Sequence, residues 1–224
     1  MSFHKKFFKL FLIFSLAVSS LPFVSLAQTI GQQTFFFVDP EYDYYSRNQV
    51  SAVLVYQTTK LNFYIDTSWW NSLTQSLQAQ ANAQLFYLAS YFENYDYPKL
   101  VATFGSEALP GYDGDNHIYV LIHPMQSKYL GYTRFEDILP ASASNFSNQH
   151  EMVYLNPQIL LNQPAQQLSY YLSHEVLHLI SFNQKGIFIN AEDERWLAEA
   201  RSDYLSTFLG YNNVYSGSIL EQRV

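Results

Sequence analysis

Residues 163–186 read Gln163-Pro-Ala-Gln-Gln-Leu-Ser-Tyr-Tyr-Leu-Ser-His-Glu-Val-Leu-His-Leu-Ile-Ser-Phe-Asn-Gln-Lys-Gly186, and this stretch decides the fold. Pro164 suits the first helical position, while Lys185 and Gly186 give a basic last turn and a glycine stop, so the spacing predicts one helix. Tyr170, Tyr171, Leu172, Val176, Leu177, Leu179 and Ile180 are apolar on nearly all sides, which predicts a buried helix. His174 and His178 are four apart, one turn along the same face, so both imidazoles can reach one metal ion. Glu175 is turned by about 100° from His174. It can touch a water on that ion without being a ligand. Two histidines and a glutamate are costly in a buried helix unless something satisfies them, and a metal does.

A second helix follows. Asn190 is placed to cap it, with Glu192, Asp193 and Glu194 in a first turn where the dipole favours anions, and Gly210 ends it. Within it lies Trp196-Leu-Ala-Glu-Ala-Arg-Ser-Asp203. A catalytic zinc takes three protein ligands and keeps one position for water. Glu199, with 20 residues between it and His178, is the candidate third ligand. Asp203 shares its face and can accept the outer N–H of a ligating histidine, with His174 as the expected partner. The competing reading is an exposed acidic face. Trp196, Leu197 and Ala200 around Glu199 argue for a partly shielded carboxylate instead.

HEVLH (174–178) followed by AEARSDY (198–204) resembles the gluzincin metallopeptidases, in which a distant Glu completes a His-Glu-x-x-His site. The Glu-Ala-x-Ser-Asp stretch is similar to that of thermolysin. HEVLHLISFNQKG with WLAEARSDY looks closer still to the hyicolysin-type secreted bacterial zinc peptidases. EMVY (151–154) resembles the edge strand that runs beside bound peptide in gluzincins. The resemblance covers about residues 150–210. It implies zinc on His174, His178 and Glu199, a general base at Glu175, an outer role for Asp203, and a zincin-like catalytic domain. Ala198 departs from the pattern, which often has Asn there. The pattern also places an oxyanion-stabilising His or Tyr well beyond the Glu ligand. Here only Tyr204, Tyr211 and Tyr215 follow Glu199, so a short or missing C-terminal lobe is expected.

Upstream, Glu151–Leu155 and His117–His123 read as strands, the second strongly β-branched and apolar. Residues 126–149 read as a Ser-, Asn- and Gly-rich loop. Val101–Phe104 reads as a short strand. A long helix runs from an N-cap at Ser68 to about Tyr95 and closes at Pro98. Val50–Tyr56 and Leu61–Asp66 form a hairpin, and residues 28–48 an extended lead-in. The expected class is therefore α+β, with a β-rich N-terminal part and the site helices in the C-terminal part. Asp113, Asp115 and Asn116 offer oxygens suited to calcium, but they lack the pattern of an EF-hand loop, and the stretch reads as an Asp-Gly turn. His117, His123 and His150 read as ordinary polar or core residues.

Residues 1–27 carry Lys5, Lys6 and Lys9, an apolar run and a small-residue end at Ser25-Leu26-Ala27, the pattern of a secretory signal peptide cleaved after Ala27. The apolar core falls short of the ~20 residues a spanning helix needs. Residues 28–224 then form one domain, soluble and extracytoplasmic, with 9 basic against 19 acidic side chains. That charge excludes nucleic acid and anionic membrane as expected partners. With no cysteine, stability must come from a core or a metal. The expectation is a secreted zinc-dependent metalloendopeptidase acting on peptide or protein. The alternative is an inactive exported protein that keeps its zinc site, or uses its surface, for binding alone.

Overall fold

Alternate residues along the central strands face two different cores. The structure is a computed structural model that describes residues 28–187 and 195–211. Its strands are β1 (Gln33–Phe37), β2 (Gln49–Gln57), β3 (Leu61–Asp66), β4 (Ile118–Ile122), β5 (Gly131–Tyr132) and β6 (Met152–Leu155). They form one sheet in the order β1-β2-β3-β4-β6-β5. β3, β4 and β6 are parallel, while β1–β2, β2–β3 and β5–β6 pair antiparallel. The class is α+β with a mixed sheet.

The helices are α1 (Thr67–Ser72), α2 (Gln75–Tyr91), α3 (Tyr97–Phe104), α4 (Pro157–Asn162), α5 (Ala165–Ser181) and α6 (Arg195–Phe208). Phe63 and Ile65, Val120 and Ile122, and Val153 and Leu155 join one core with Leu85 and Leu88 of α2 and Leu172 and Val176 of α5. Their neighbours Tyr64, Tyr119, Leu121, Met152 and Tyr154 join Phe36 and Tyr132 in a second core on the opposite face. Among the described residues, no helix contributes to that second core. Tyrosine suits such a face, because the ring supplies area while the hydroxyl reaches a polar partner. Tyr154 donates to Asp137 at 2.6 Å, Tyr64 to Gln28 at 2.9 Å and Tyr119 to Asp115 at 3.2 Å.

The β2–β3 hairpin, β4, β6 and the two site helices lie where the sequence sets them. Four other expectations are corrected. The long helix is two, because Asp66 rather than Ser68 caps α1 and Thr74 caps α2. Pro98 opens α3 instead of closing α2, since its missing N–H costs nothing in a first turn. Val101–Phe104 is accordingly helical and not a strand. Helix α5 passes at Ser181 into a wide π-helical turn, Phe182–Ile187, which runs past Gly186. Asn183 and Gln184 hold that turn by donating to Ser106 O at 2.9 and 2.8 Å. Segregation of strands from helices is also looser than expected, with α1–α3 between β3 and β4.

The expected signal peptide at 1–27, the expected cap at Asn190, and Glu192, Asp193, Glu194 and Tyr215 lie outside the described residues. Among the described residues, no helix is long and apolar enough to cross a membrane.

Candidate metal centre

Helix α5 packs against α2, α6, β5 and β6, with Leu172, Val176, Leu177 and Leu179 buried, so its site residues stand on a fixed support. His174 and His178 sit one turn apart, their rings 5.1 Å between centroids. Helix α6 brings Glu199 across from both. Glu199 Oε2 lies 3.5 Å from His174 Nε2 and 3.9 Å from His178 Nε2. The three donor atoms all fall within 4.8 Å of one another. Tetrahedral ligands at zinc distances stand about 3.4 Å apart, so the donors fit an ion with slight closure. This group can hold a metal ion. On the other side of His174, Nδ1 faces Asp203 Oδ1 at 3.9 Å, near but beyond hydrogen-bond reach.

Protonation fits the same role. Burial, then the adjacent His174, push His178 down to about 4 against the pull of Glu199. It is a neutral imidazole at neutral pH, the form that ligates. Burial also disfavours charge on His174, but Glu199, Glu175 and Asp203 outweigh it and raise this ring above its ordinary value. Glu175 is buried, and burial pushes it up to about 7. His174 pulls against that rise, Glu199 adds to it, and the hydroxyl of Thr133 pulls against it.

Glu199 is 49% exposed, and its neighbours Trp196 and Leu197 are 65% and 39% exposed. The shielding expected from those apolar neighbours is therefore corrected. Helix α6 buries Ser202, Leu205 and Ser206 against the rest of the chain, while Trp196 and Leu197 face outward. Glu199 forms a lip of the cleft rather than part of its floor.

The cleft has a volume of about 530 Å³, and Tyr42, Tyr129, Gly131, Thr133 and Phe182 line it beside His174, Glu175, His178 and Glu199. Sequence reasoning missed these five. Gly131 and Thr133 come from or adjoin a two-residue strand inside the stretch read as loop, too short for any periodicity to register. Tyr42 stacks on Tyr132 at 4.3 Å and meets Tyr129 at 4.4 Å, so the lead-in forms an aromatic wall of the cleft.

The strand expected beside a bound peptide is also corrected. Met152–Leu155 lies between β4 and β5, and the edge of the sheet belongs to β5. Of the three candidate oxyanion donors, Tyr211 is buried with its hydroxyl given to Asp96, Tyr204 is half exposed on α6, and Tyr215 lies outside the described residues. The Asp113–Asn116 turn spends its carboxylates internally, on His150, His117 and backbone amides. The calcium expectation gains no support there. The chain matches no known family model, and no curated protein is significantly similar to it.

Proposed function

We propose that this chain is an exported zinc-dependent peptide hydrolase with a zincin-like catalytic domain. The observation that carries this is the convergence of His174 Nε2 and His178 Nε2 on Glu199 Oε2, with the Glu175 carboxyl in the same cleft. Two imidazole nitrogens, one carboxylate and an open approach make the donor set of a catalytic zinc site. Zinc bound there supplies an acidified water and polarises a carbonyl. His174 and His178 hold their places through α5, and Asp203 steadies His174 from behind. Glu175, with its proton affinity near neutral, takes the proton of the attacking water and passes it to the leaving amine. An extended peptide pairs with the outer edge of β5, its backbone hydrogen bonds giving affinity independent of sequence. The aromatic wall of Tyr42 and Tyr129 favours apolar side chains on that peptide.

Glu175→Gln tests the reading. The variant is expected to keep zinc and to lose at least ~10²-fold in kcat on a peptide library, the ordinary contribution of a general base. Activity at the level of the parent removes Glu175 from the mechanism. One equivalent of zinc with no turnover by the parent chain leaves binding alone as its function. Sequencing the N-terminus of exported protein checks the leader, with Gln28 expected first.

A further inference from the structure

Tyr132 of β5 is buried against Tyr154, their rings stacked at 4.2 Å, so its neighbours at 131 and 133 face the other side of the sheet by the two-residue alternation of an extended chain. That side carries Glu175. At Gly131 a β-carbon would stand 2.8 Å from Glu175 Oε1, 3.1 Å from its Cγ and 3.0 Å from Tyr154 O. The first two are closer than side-chain carbons normally come, and the third leaves no slack from the strand behind. Thr133 Oγ1 lies 3.4 Å from Glu175 Oε2 and donates to it. The two oxygens of one carboxyl are thus met by two residues of one strand end, one by absence of bulk and one by a hydroxyl.

We propose that Gly131 and Thr133 are positioning residues for Glu175. The glycine opens the room in which the carboxyl lies against the sheet edge, and the threonine hydroxyl fixes its rotation toward the cleft. This rests on the assignment of Glu175 as the base in the proposed function. The same strand that ends the sheet thereby couples peptide docking to placement of the proton acceptor. A peptide paired with β5 finds Glu175 already set against that strand.

The experiment compares Gly131→Ala, Thr133→Val and Thr133→Ser in the full chain, loaded with zinc and, separately, with cobalt for its visible absorption spectrum. Gly131→Ala displaces the carboxyl and is expected to lower kcat about 100-fold, the scale of an ångström of misplacement. Thr133→Val is expected to lower kcat about tenfold, the loss of one hydrogen bond to a charged group. Zinc affinity stays within about twofold in both, and Thr133→Ser restores kcat to within about threefold, because each metal ligand is untouched. The cobalt spectra of Gly131→Ala and Thr133→Val are expected to shift as that of Glu175→Gln does. Loss of kcat together with loss of zinc, or failure of Thr133→Ser to restore it, overturns the proposal in favour of a merely structural strand end. If the parent chain cleaves no peptide, the functional reading fails separately and the cobalt spectra still decide. Spectra like that of Glu175→Gln support positioning, and spectra like the parent's overturn it.

Discussion

Two clusters of histidine and carboxylate among the described residues resolve their charges in opposite ways. Around the Gly111–Asn116 turn each group has its own partner. His150 meets Asp113 at 2.6 Å, His117 meets Asp115 at 2.5 Å, and Lys60 meets Glu107 at 2.9 Å. Asp113 falls below the usual carboxylate range, because the His150 contact and backbone N–H donors outweigh its burial. Burial, with Asp113 beside it, drives Glu151 up to about 8 and leaves it protonated. At the α5–α6 cleft two imidazoles share one oxygen of one carboxylate, at 3.5 and 3.9 Å. The residue types are the same in both places. What separates a structural cluster from a candidate metal centre is whether donors pair off or converge.

The widest gap between the two clusters should come from deleting one histidine in each. His178→Ala removes a ligand and is expected to weaken zinc by more than the 10–100-fold that loss of an outer partner costs, measured by competition with a chelator. His150→Ala leaves zinc untouched. It strips the half-buried Asp113 of its donor and is expected to cost ~1–3 kcal/mol in a denaturant melt. Zinc retained by His178→Ala, or lost by His150→Ala, would break the comparison.

Acid should sharpen it next. Ligation needs neutral imidazoles, so protons compete with the metal. His174, raised by its three carboxylates, takes a proton first, and His178, held down to about 4, resists the second. Zinc affinity is therefore expected to fall about tenfold per pH unit once pH drops below the His174 value, and to steepen only near pH 4. Calorimetry in buffers of different ionisation enthalpy should show about one proton released per zinc near pH 6. An affinity flat from about pH 7 to 5 would show that the pair does not titrate as its surroundings dictate.

How far the sequence foretold this differs between the two ends of the cleft. His174, Glu175, His178, Glu199 and Asp203 were legible because helical spacing is a rigid ruler, four residues being one turn wherever the helix sits. The strands β3, β4 and β6 were legible because β-branched and aromatic runs leave few alternatives. The edge strand was not. Two residues carry no period, and Gly131 looks like any loop glycine until Glu175 stands beside it. The same limit hid the break between α1 and α2. Thr74 and Asp66 cap helices through side-chain oxygens that accept from Leu77 and Trp69 amides, while apolar spacing continues across the gap. Burial of Glu199 was misjudged for a further reason. Apolar neighbours in sequence say nothing about which face of a helix meets the core.

The smallest expected effect concerns how α6 is held. Its end is closed by Gly210 at φ 85°, with Gly210 N–H bonded to Thr207 O at 3.2 Å and Tyr211 N–H to Ser206 O at 2.7 Å, a Schellman stop. That stop carries Tyr211 back into the core, where its hydroxyl joins those of Ser169 and Ser173 on Asp96. Burial raises Asp96 above its ordinary value, and the three hydroxyls oppose that rise. Asp96 thus ties the end of α6 to α5. Tyr211→Phe keeps the ring and removes one donor. It is expected to cost ~1–2 kcal/mol in a thermal or denaturant melt. Zinc affinity should fall by less than about tenfold, since the ligands remain and only their approach loosens. A variant with parental stability and affinity would assign the anchoring of α6 to Leu205 and Leu209 alone. In that case the convergence at Glu199 would owe nothing to the buried carboxylate.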